Sequence, residues 1–133
     1  MFRPYRINNL VDPYYVVDDE DDFRNTLIKR LETRKVAVAG AAGGNEALAM
    51  LKDEDYDVVV LDVKMPEKDG IETLQDMKKL KPQTEIILLT GHASVEAGIQ
   101  GMRLGAFDYI IKPTPLDELL DKMQQAFDRK KNR

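Results

Sequence analysis

Short apolar runs alternate along this chain with longer segments in which apolar residues recur every three or four positions. Five runs have the length of buried strands, namely Tyr14–Val17, Val36–Ala39, Val58–Leu61, Ile86–Leu89 and Phe107–Ile111. An amphipathic segment of helical length follows each run, and in the first of them Phe23, Leu27 and Leu31 are spaced four apart. Strands separated by helices imply parallel βαβ crossovers. The pattern therefore predicts an α/β fold with five strands and five helices.

The predicted elements fill most of the chain. At 133 residues its length is close to the commonest size of one domain, and we expect one folded domain over residues 14–128. Residues 1–13 have no period and contain two prolines, so we expect an irregular N-terminal arm or a cloning remnant. Residues 129–133 are a basic C-terminal tail, either a fraying helix end or the start of a linker.

Composition excludes several classes of protein. The chain has no cysteine, which rules out disulfides, thiolate metal sites and cysteine nucleophiles, and its one histidine, His92, cannot form a multi-histidine site. We expect His92 to be a surface loop residue. No apolar run approaches the roughly 20 residues of a membrane span, so we expect a soluble cytoplasmic protein with no membrane partner. The net charge of -4 argues against direct binding of nucleic acid.

Polar side chains stand at the ends of four of the predicted strands. Asp18 and Asp19 follow the first, Asp62 the third, Thr90 the fourth and Lys112 the fifth. In an open parallel sheet, ligands bind outside the carboxyl ends of the strands, where the strand order reverses. We therefore expect three acids, a hydroxyl and an ammonium to face one crevice.

The three acids predict a metal site. Carboxylates about 5 Å apart repel one another by ~3 kcal/mol per pair, so Asp18, Asp19 and Asp62 need a cation among them. Oxygen ligands alone favour a hard divalent ion, and Mg²⁺ is the natural candidate. Such a set suits phosphoryl transfer, in which positioning and charge neutralisation do most of the catalysis. We assign the nucleophile to Asp62, because it stands alone on its strand, and the product would be an aspartyl phosphate.

Four motifs in this order resemble those of one family. They are Val16-Val17-Asp18-Asp19-Glu20, Leu61-Asp62-Val63-Lys64-Met65-Pro66 with Asp69-Gly70, Leu89-Thr90-Gly91, and Tyr109-Ile110-Ile111-Lys112-Pro113. Over about residues 14–127 the chain is similar to a response-regulator receiver domain of two-component signal transduction. The resemblance implies a doubly wound, flavodoxin-like (βα)5 fold with strand order 2-1-3-4-5.

The resemblance also implies a role for each site residue. Asp62 would accept a phosphoryl group from a histidine kinase, a histidine phosphotransfer protein in a phosphorelay, or a small phosphodonor. Mg²⁺ would be the cofactor, held by Asp18, Asp19, Asp62 and the backbone carbonyl of Lys64.

Three residues around the phosphoryl group complete the site that the resemblance implies. Thr90 would donate a hydrogen bond to one phosphoryl oxygen and Lys112 would pair with another. Tyr109 would turn inward as Thr90 moves. The peptide bond between Lys112 and Pro113 would be cis, a state that is accessible mainly before proline.

The protein would then act as a switch that phosphorylation operates. It would not be an enzyme of multiple turnover, and it would dephosphorylate itself slowly at most. The added charge would bias the fourth helix, predicted over about residues 94–104, and be read on the face formed by that helix, the fifth strand and the fifth helix. A downstream protein, an effector domain or a second copy of the chain would bind there. The sequence fits both a complete regulator and a receiver cut from a larger transcription factor or hybrid kinase.

Three other functions share parts of this pattern. A phosphorylation-independent pseudo-receiver that only binds partners would be expected to lack an acid or the lysine, and all are present. A flavin or nucleotide binder would need a glycine-rich phosphate loop, which is missing. A phosphatase with an aspartate nucleophile would have a second acid two residues after it, where this chain has Lys64.

Overall fold

Strands and helices alternate along the whole of the described chain. The computed structural model describes residues 14–65, 67–91 and 94–132, so the predicted arm and His92 lie outside the described residues. Within them the elements are β1 (Tyr14–Val17), α1 (Asp21–Thr33), β2 (Val38–Ala41), α2 (Gly44–Asp53), β3 (Val58–Asp62), α3 (Gly70–Leu80), β4 (Glu85–Thr90), α4 (Val95–Arg103), β5 (Asp108–Ile111) and α5 (Leu116–Lys131).

The strands form one parallel sheet in the order β2-β1-β3-β4-β5. This confirms the predicted doubly wound (βα)5 fold and its strand order. Every residue of β1, β3 and β4 is buried, as expected for parallel strands covered on both faces. The carboxyl ends of all these strands consequently lie along one edge of the sheet.

Alternate residues of each strand feed two separate cores, because successive side chains point to opposite faces. Tyr15, Val59 and Leu61 belong to the core under α2, α3 and α4, with Leu51 and Leu74 from the first two of these helices. The other core lies under α1 and α5 and contains strand residues Tyr14, Val16, Val58, Val60, Ile87 and Leu89 with helix residues Leu27, Leu31, Leu119 and Met123.

One strand differs from its predicted bounds by two residues. We predicted Val36–Ala39, whereas β2 is Val38–Ala41. Lys35 has a left-handed backbone, with φ of 63°, and the Val36 N–H donates to the Leu31 carbonyl, so this segment still belongs to the turn after α1. The other four runs match the observed strands to within one residue at each end.

Helix α5 continues through Lys131, so residues 129–131 of the predicted tail are helical. Ion pairs hold this end: Arg129 Nε lies 3.1 Å from Glu85 Oε2, and Lys130 Nζ lies 2.8 Å from Asp57 Oδ1. The bounds 14–128 for the domain stay a prediction. Across the part of the chain that the structure describes, α5 and the other helices are all too short or too polar to cross a membrane.

Two glycines let α4 approach the sheet closely. A Cβ at Gly101 would overlap Leu88 Cδ1, and a Cβ at Gly98 would lie 2.8 Å from Tyr109 Cδ2. Both glycines are buried. Glycine inside a helix costs about 1 kcal/mol relative to alanine, and here the close contact accounts for its presence.

We therefore expect Gly101→Ala to lower the free energy of unfolding by about 1 kcal/mol, because overpacking a core typically costs 1–3 kcal/mol and outweighs the gain in helix propensity. Leu88 is fully buried and has little room to move aside. Urea denaturation measures the change. The matched control is Gln100→Ala at the neighbouring exposed position, where we expect almost no change. A stabilised Gly101→Ala variant would contradict the packing argument.

Candidate functional site

Three carboxylates meet where β1 and β3 end. Asp62 is the last residue of β3, and Asp18 and Asp19 follow β1, its neighbour in the sheet, where Val17 is paired with Leu61. One oxygen from each of the three carboxylates lies within 4.8 Å of the others. Asp18 and Asp62 are buried, and Asp19 is half-buried. The structure thus brings the three predicted acids together.

The loop that carries Asp18 is held from several sides. The backbone N–H of Asp18 donates to the Ala41 carbonyl at 3.1 Å, and Asp18 Oδ1 accepts from the Glu20 N–H at 2.9 Å. Arg24 Nη1 donates to the Asp18 carbonyl at 2.8 Å. The stem of Arg24 passes over Gly40, where an added Cβ would lie 3.4 Å from its Cδ. Sequence reasoning missed Arg24, because only the packing of α1 on β2 points its side chain toward the loop.

Lys112 reaches into the acid cluster from the end of β5. Its Nζ lies 3.3 Å from Asp18 Oδ2 and 3.2 Å from Asp62 Oδ1. The backbone N–H of Lys112 donates to the Thr90 carbonyl at 2.6 Å. The peptide bond between Lys112 and Pro113 is cis, which confirms the prediction of a cis bond there. Burial alone would lower the pKa of Lys112, but the Asp62 and Asp18 carboxylates together outweigh it and raise that pKa. The ammonium therefore stays charged beside the acids.

The electrostatics of Asp62 are unfavourable to its charge. Burial, followed by repulsion from Asp18, raises the pKa of Asp62 to about 6, although Lys112 pulls in the opposite direction. Among the residues that the structure describes, Lys112 is the lysine paired with two of these three acids, so this group of four side chains carries an excess of negative charge. A divalent cation would balance it, and the all-oxygen donor set fits Mg²⁺. The fourth predicted ligand, the Lys64 carbonyl, lies in the loop after β3, and its role stays a prediction.

The backbone after Asp62 is fixed by the start of α3. The Gly70 N–H donates to the Val63 carbonyl at 2.8 Å, and a Cβ at Gly70 would lie 2.6 Å from Val63 Cα. Asp69 caps the helix, accepting from the Glu72 N–H at 2.9 Å. This close approach explains why glycine follows Asp69 in the sequence, and it anchors the strand end that presents Asp62.

Thr90 is the last residue of β4, and Tyr109 lies inside β5, where it is paired with Leu88. Leu89 is paired with Asp62 across the sheet, which places Thr90 one residue further toward the carboxyl edge. Among the residues that the structure describes, Thr90 Oγ1 is the one buried side-chain polar atom without a hydrogen-bond partner. A Cβ added at Gly98 would lie 2.9 Å from Tyr109 Cγ and 3.3 Å from Thr90 Cγ2. Both side chains therefore contact α4 at one glycine.

Comparison with known proteins agrees with this geometry. A family model described as the response regulator receiver domain matches residues 15–124. The chain is 41% identical over 111 residues to the regulatory protein AtoC of Escherichia coli strain K12, covering 84% of this chain and 24% of AtoC. It is 33% identical over 112 residues to the DNA-binding transcriptional regulator NtrC of Salmonella typhimurium, with coverage of 84% and 24%. The chain thus spans about a quarter of the length of these relatives.

Solved structures show the same fold. A response regulator receiver domain protein from Clostridium thermocellum superimposes with a TM-score of 0.86 at 33% identity, covering 90% of this chain and 96% of that one. The receiver domain of NtrX from Brucella abortus gives a TM-score of 0.82 at 30% identity, covering 86% and 98%. The resemblance carried by the four motifs is therefore confirmed, and the chain belongs to the response regulator receiver domain family.

Proposed function

We propose that this receiver domain is a phosphoacceptor switch in which Asp62 takes a phosphoryl group from a histidine kinase or a histidine phosphotransfer protein in a Mg²⁺-dependent reaction. One observation carries the proposal. The carboxylates of Asp18, Asp19 and Asp62 lie within 4.8 Å of one another, and Lys112 contacts two of them. This is the arrangement that neutralises charge around a transferred phosphoryl group.

In the transfer, a carboxylate oxygen of Asp62 forms a bond to phosphorus as the phosphorus–nitrogen bond of the donor phosphohistidine breaks, leaving the imidazole. A pKa of about 6 leaves Asp62 mostly ionised at pH 7, as a nucleophile must be. Lys112 neutralises charge on the phosphoryl oxygens. The three acids and the Lys64 carbonyl would hold Mg²⁺, which when bound supplies positive charge beside those oxygens.

The switch would begin at Thr90. Its buried hydroxyl lacks a partner among the described residues, and a buried unpaired polar group costs about 1–3 kcal/mol, so a phosphoryl oxygen within reach would attract it. Movement of Thr90 would free space into which Tyr109 turns, and α4 would respond because Gly98 contacts both.

The face of α4, β5 and α5 would bind a downstream protein, an effector domain or a second copy of the chain. Ile99 and Met102 are exposed on α4 and would contribute apolar contacts.

Intact mass spectrometry after incubation with an acyl phosphate tests the proposal. We expect the wild type to gain the mass of one phosphate group when Mg²⁺ is present and to gain none in chelator. Asp62→Asn should gain none in either condition, because an amide is not a nucleophile here. Asp53→Asn, which changes an exposed acid of α2, is the matched control and should label like the wild type.

Equal labelling of Asp62→Asn would refute the assignment of the nucleophile. A wild type that binds Mg²⁺ yet gains no phosphate from either an acyl phosphate or a phosphorylated histidine protein would favour the pseudo-receiver, an interaction module independent of phosphorylation.

A further inference from the structure

The ammonium of Lys112 has a third neighbour besides its two carboxylates. Its Nζ lies 4.4 Å from the centroid of the Phe23 ring, close enough for a cation–π interaction. Phe23 belongs to the first turn of α1, five residues after Asp18, and it is half-buried. The Lys112 side chain is 21% exposed, so conformations in which the ammonium points into solvent compete with the one in which it contacts the acids.

Phe23 packs against the core under α1 and α5, and it also borders open space. A cavity of about 210 Å³ lies between α1 and α5, lined in part by Phe23, Leu27, Lys112, Pro113, Leu116 and Leu119. The ring therefore has space on one side and the ammonium on another. A change in the charge distribution of the ring at nearly constant size should therefore act mainly on Lys112.

We propose that Phe23 is a positioning residue that keeps the Lys112 ammonium at the acid cluster for phosphoryl transfer. This inference rests on the proposed function, because it concerns the lysine that would meet the phosphoryl group. An aromatic face attracts the positive charge but accepts no strong hydrogen bond. A carboxylate in the same place would compete with the phosphoryl oxygen for the lysine N–H donors, whereas the ring leaves them available.

The first test compares substitutions of different chemistry at this one position. With an acyl phosphate and saturating Mg²⁺, we expect Phe23→Leu to slow phosphorylation of Asp62 about three- to tenfold, because leucine keeps an apolar contact and loses the aromatic face. Phe23→Tyr keeps the face and should stay within about twofold of the wild type. Site-specific fluorinated phenylalanines, which weaken the ring's attraction for a cation at nearly constant size, should slow the reaction stepwise with each added fluorine.

The second test does not depend on phosphorylation. We expect the NMR signals of the Lys112 ε-methylene group to be displaced by the ring current of Phe23 in the wild type and in Phe23→Tyr, and to lose that displacement in Phe23→Leu. If the wild type takes no phosphate, the proposed function fails, and the lysine signals alone decide whether the ring holds the ammonium.

Two outcomes would overturn the inference. Lysine signals that are identical in the wild type and Phe23→Leu would show that the ring does not hold the ammonium. A wild-type phosphorylation rate in a folded Phe23→Leu variant, or in the protein whose ring at position 23 carries the most fluorines, would show that holding the ammonium has no consequence for phosphoryl transfer.

Discussion

Asp62→Asn is expected to stabilise the metal-free protein while it abolishes phosphorylation. Burial and repulsion from Asp18 raise the pKa of Asp62 from an ordinary value of 3.8 to about 6. At 1.36 kcal/mol per pH unit, ionised Asp62 then costs the folded state up to about 3 kcal/mol at neutral pH. Asparagine has nearly the same shape and no charge. The free energy of unfolding of the variant should therefore exceed that of the wild type by most of this amount.

The dependence on pH gives this prediction a definite sign. Between about pH 4 and pH 6 the folded protein holds a proton on Asp62 that the unfolded chain has released, so the contribution of Asp62 to stability is lost as the pH rises through this window. The difference in stability between Asp62→Asn and the wild type should be near zero at pH 4 and reach its full size above pH 7.

Urea denaturation in chelator at a series of pH values measures this difference. Asp53→Asn, at an exposed site, is the control and should show little difference at any pH. A variant less stable than the wild type at pH 8, or a difference that does not change with pH, would contradict the electrostatic argument. The expected gain in stability indicates that Asp62 serves function at a cost in stability. The destabilised carboxylate is the group that binds a cation and reacts.

The sequence predicted the parts of the site that depend on strand ends. Asp18, Asp62 and Lys112 follow buried runs, and parallel pairing then leaves their side chains at one edge of the sheet with few alternatives. The positions of β1, β3, β4 and β5 followed from the same apolar runs. The strand β2 was placed two residues early, because Val36 is apolar but lies in the turn that Lys35 makes.

Contacts that cross between elements could not be predicted in this way. Phe23 was placed on the apolar stripe of the first helix with Leu27 and Leu31, and periodicity alone did not indicate that its ring meets Lys112, 89 positions later in the sequence. The sequence pattern likewise did not indicate that Gly98 lies against Tyr109 and Thr90. Such contacts depend on the rotation of each helix on the sheet, which the sequence pattern fixes only approximately.

Lys112→Met is expected to have the opposite effect to Asp62→Asn on the metal-free protein. Removing one partner of a buried ion pair typically costs about 3–5 kcal/mol, because the remaining charge is left uncompensated. The Lys112 side chain is 21% exposed, and solvent reaches it, so we expect a loss of about 2 kcal/mol at pH 8. Methionine keeps most of the apolar stem, which leaves the charge as the main change.

Added Mg²⁺ should restore much of the stability that Lys112→Met loses, because an ion bound only by the folded state stabilises it and here replaces the missing positive charge. The double variant Asp62→Asn/Lys112→Met should lose much less than Lys112→Met alone, since one of the uncompensated acids is gone. Urea denaturation with chelator and with Mg²⁺ measures both effects. Lys122→Met is the matched control: it removes a more exposed pair with Asp108, so a change below about 1 kcal/mol and no response to Mg²⁺ are expected. Equal losses at positions 112 and 122, or a Lys112→Met variant that Mg²⁺ does not stabilise, would mean that the acids and the lysine do not form one electrostatic unit.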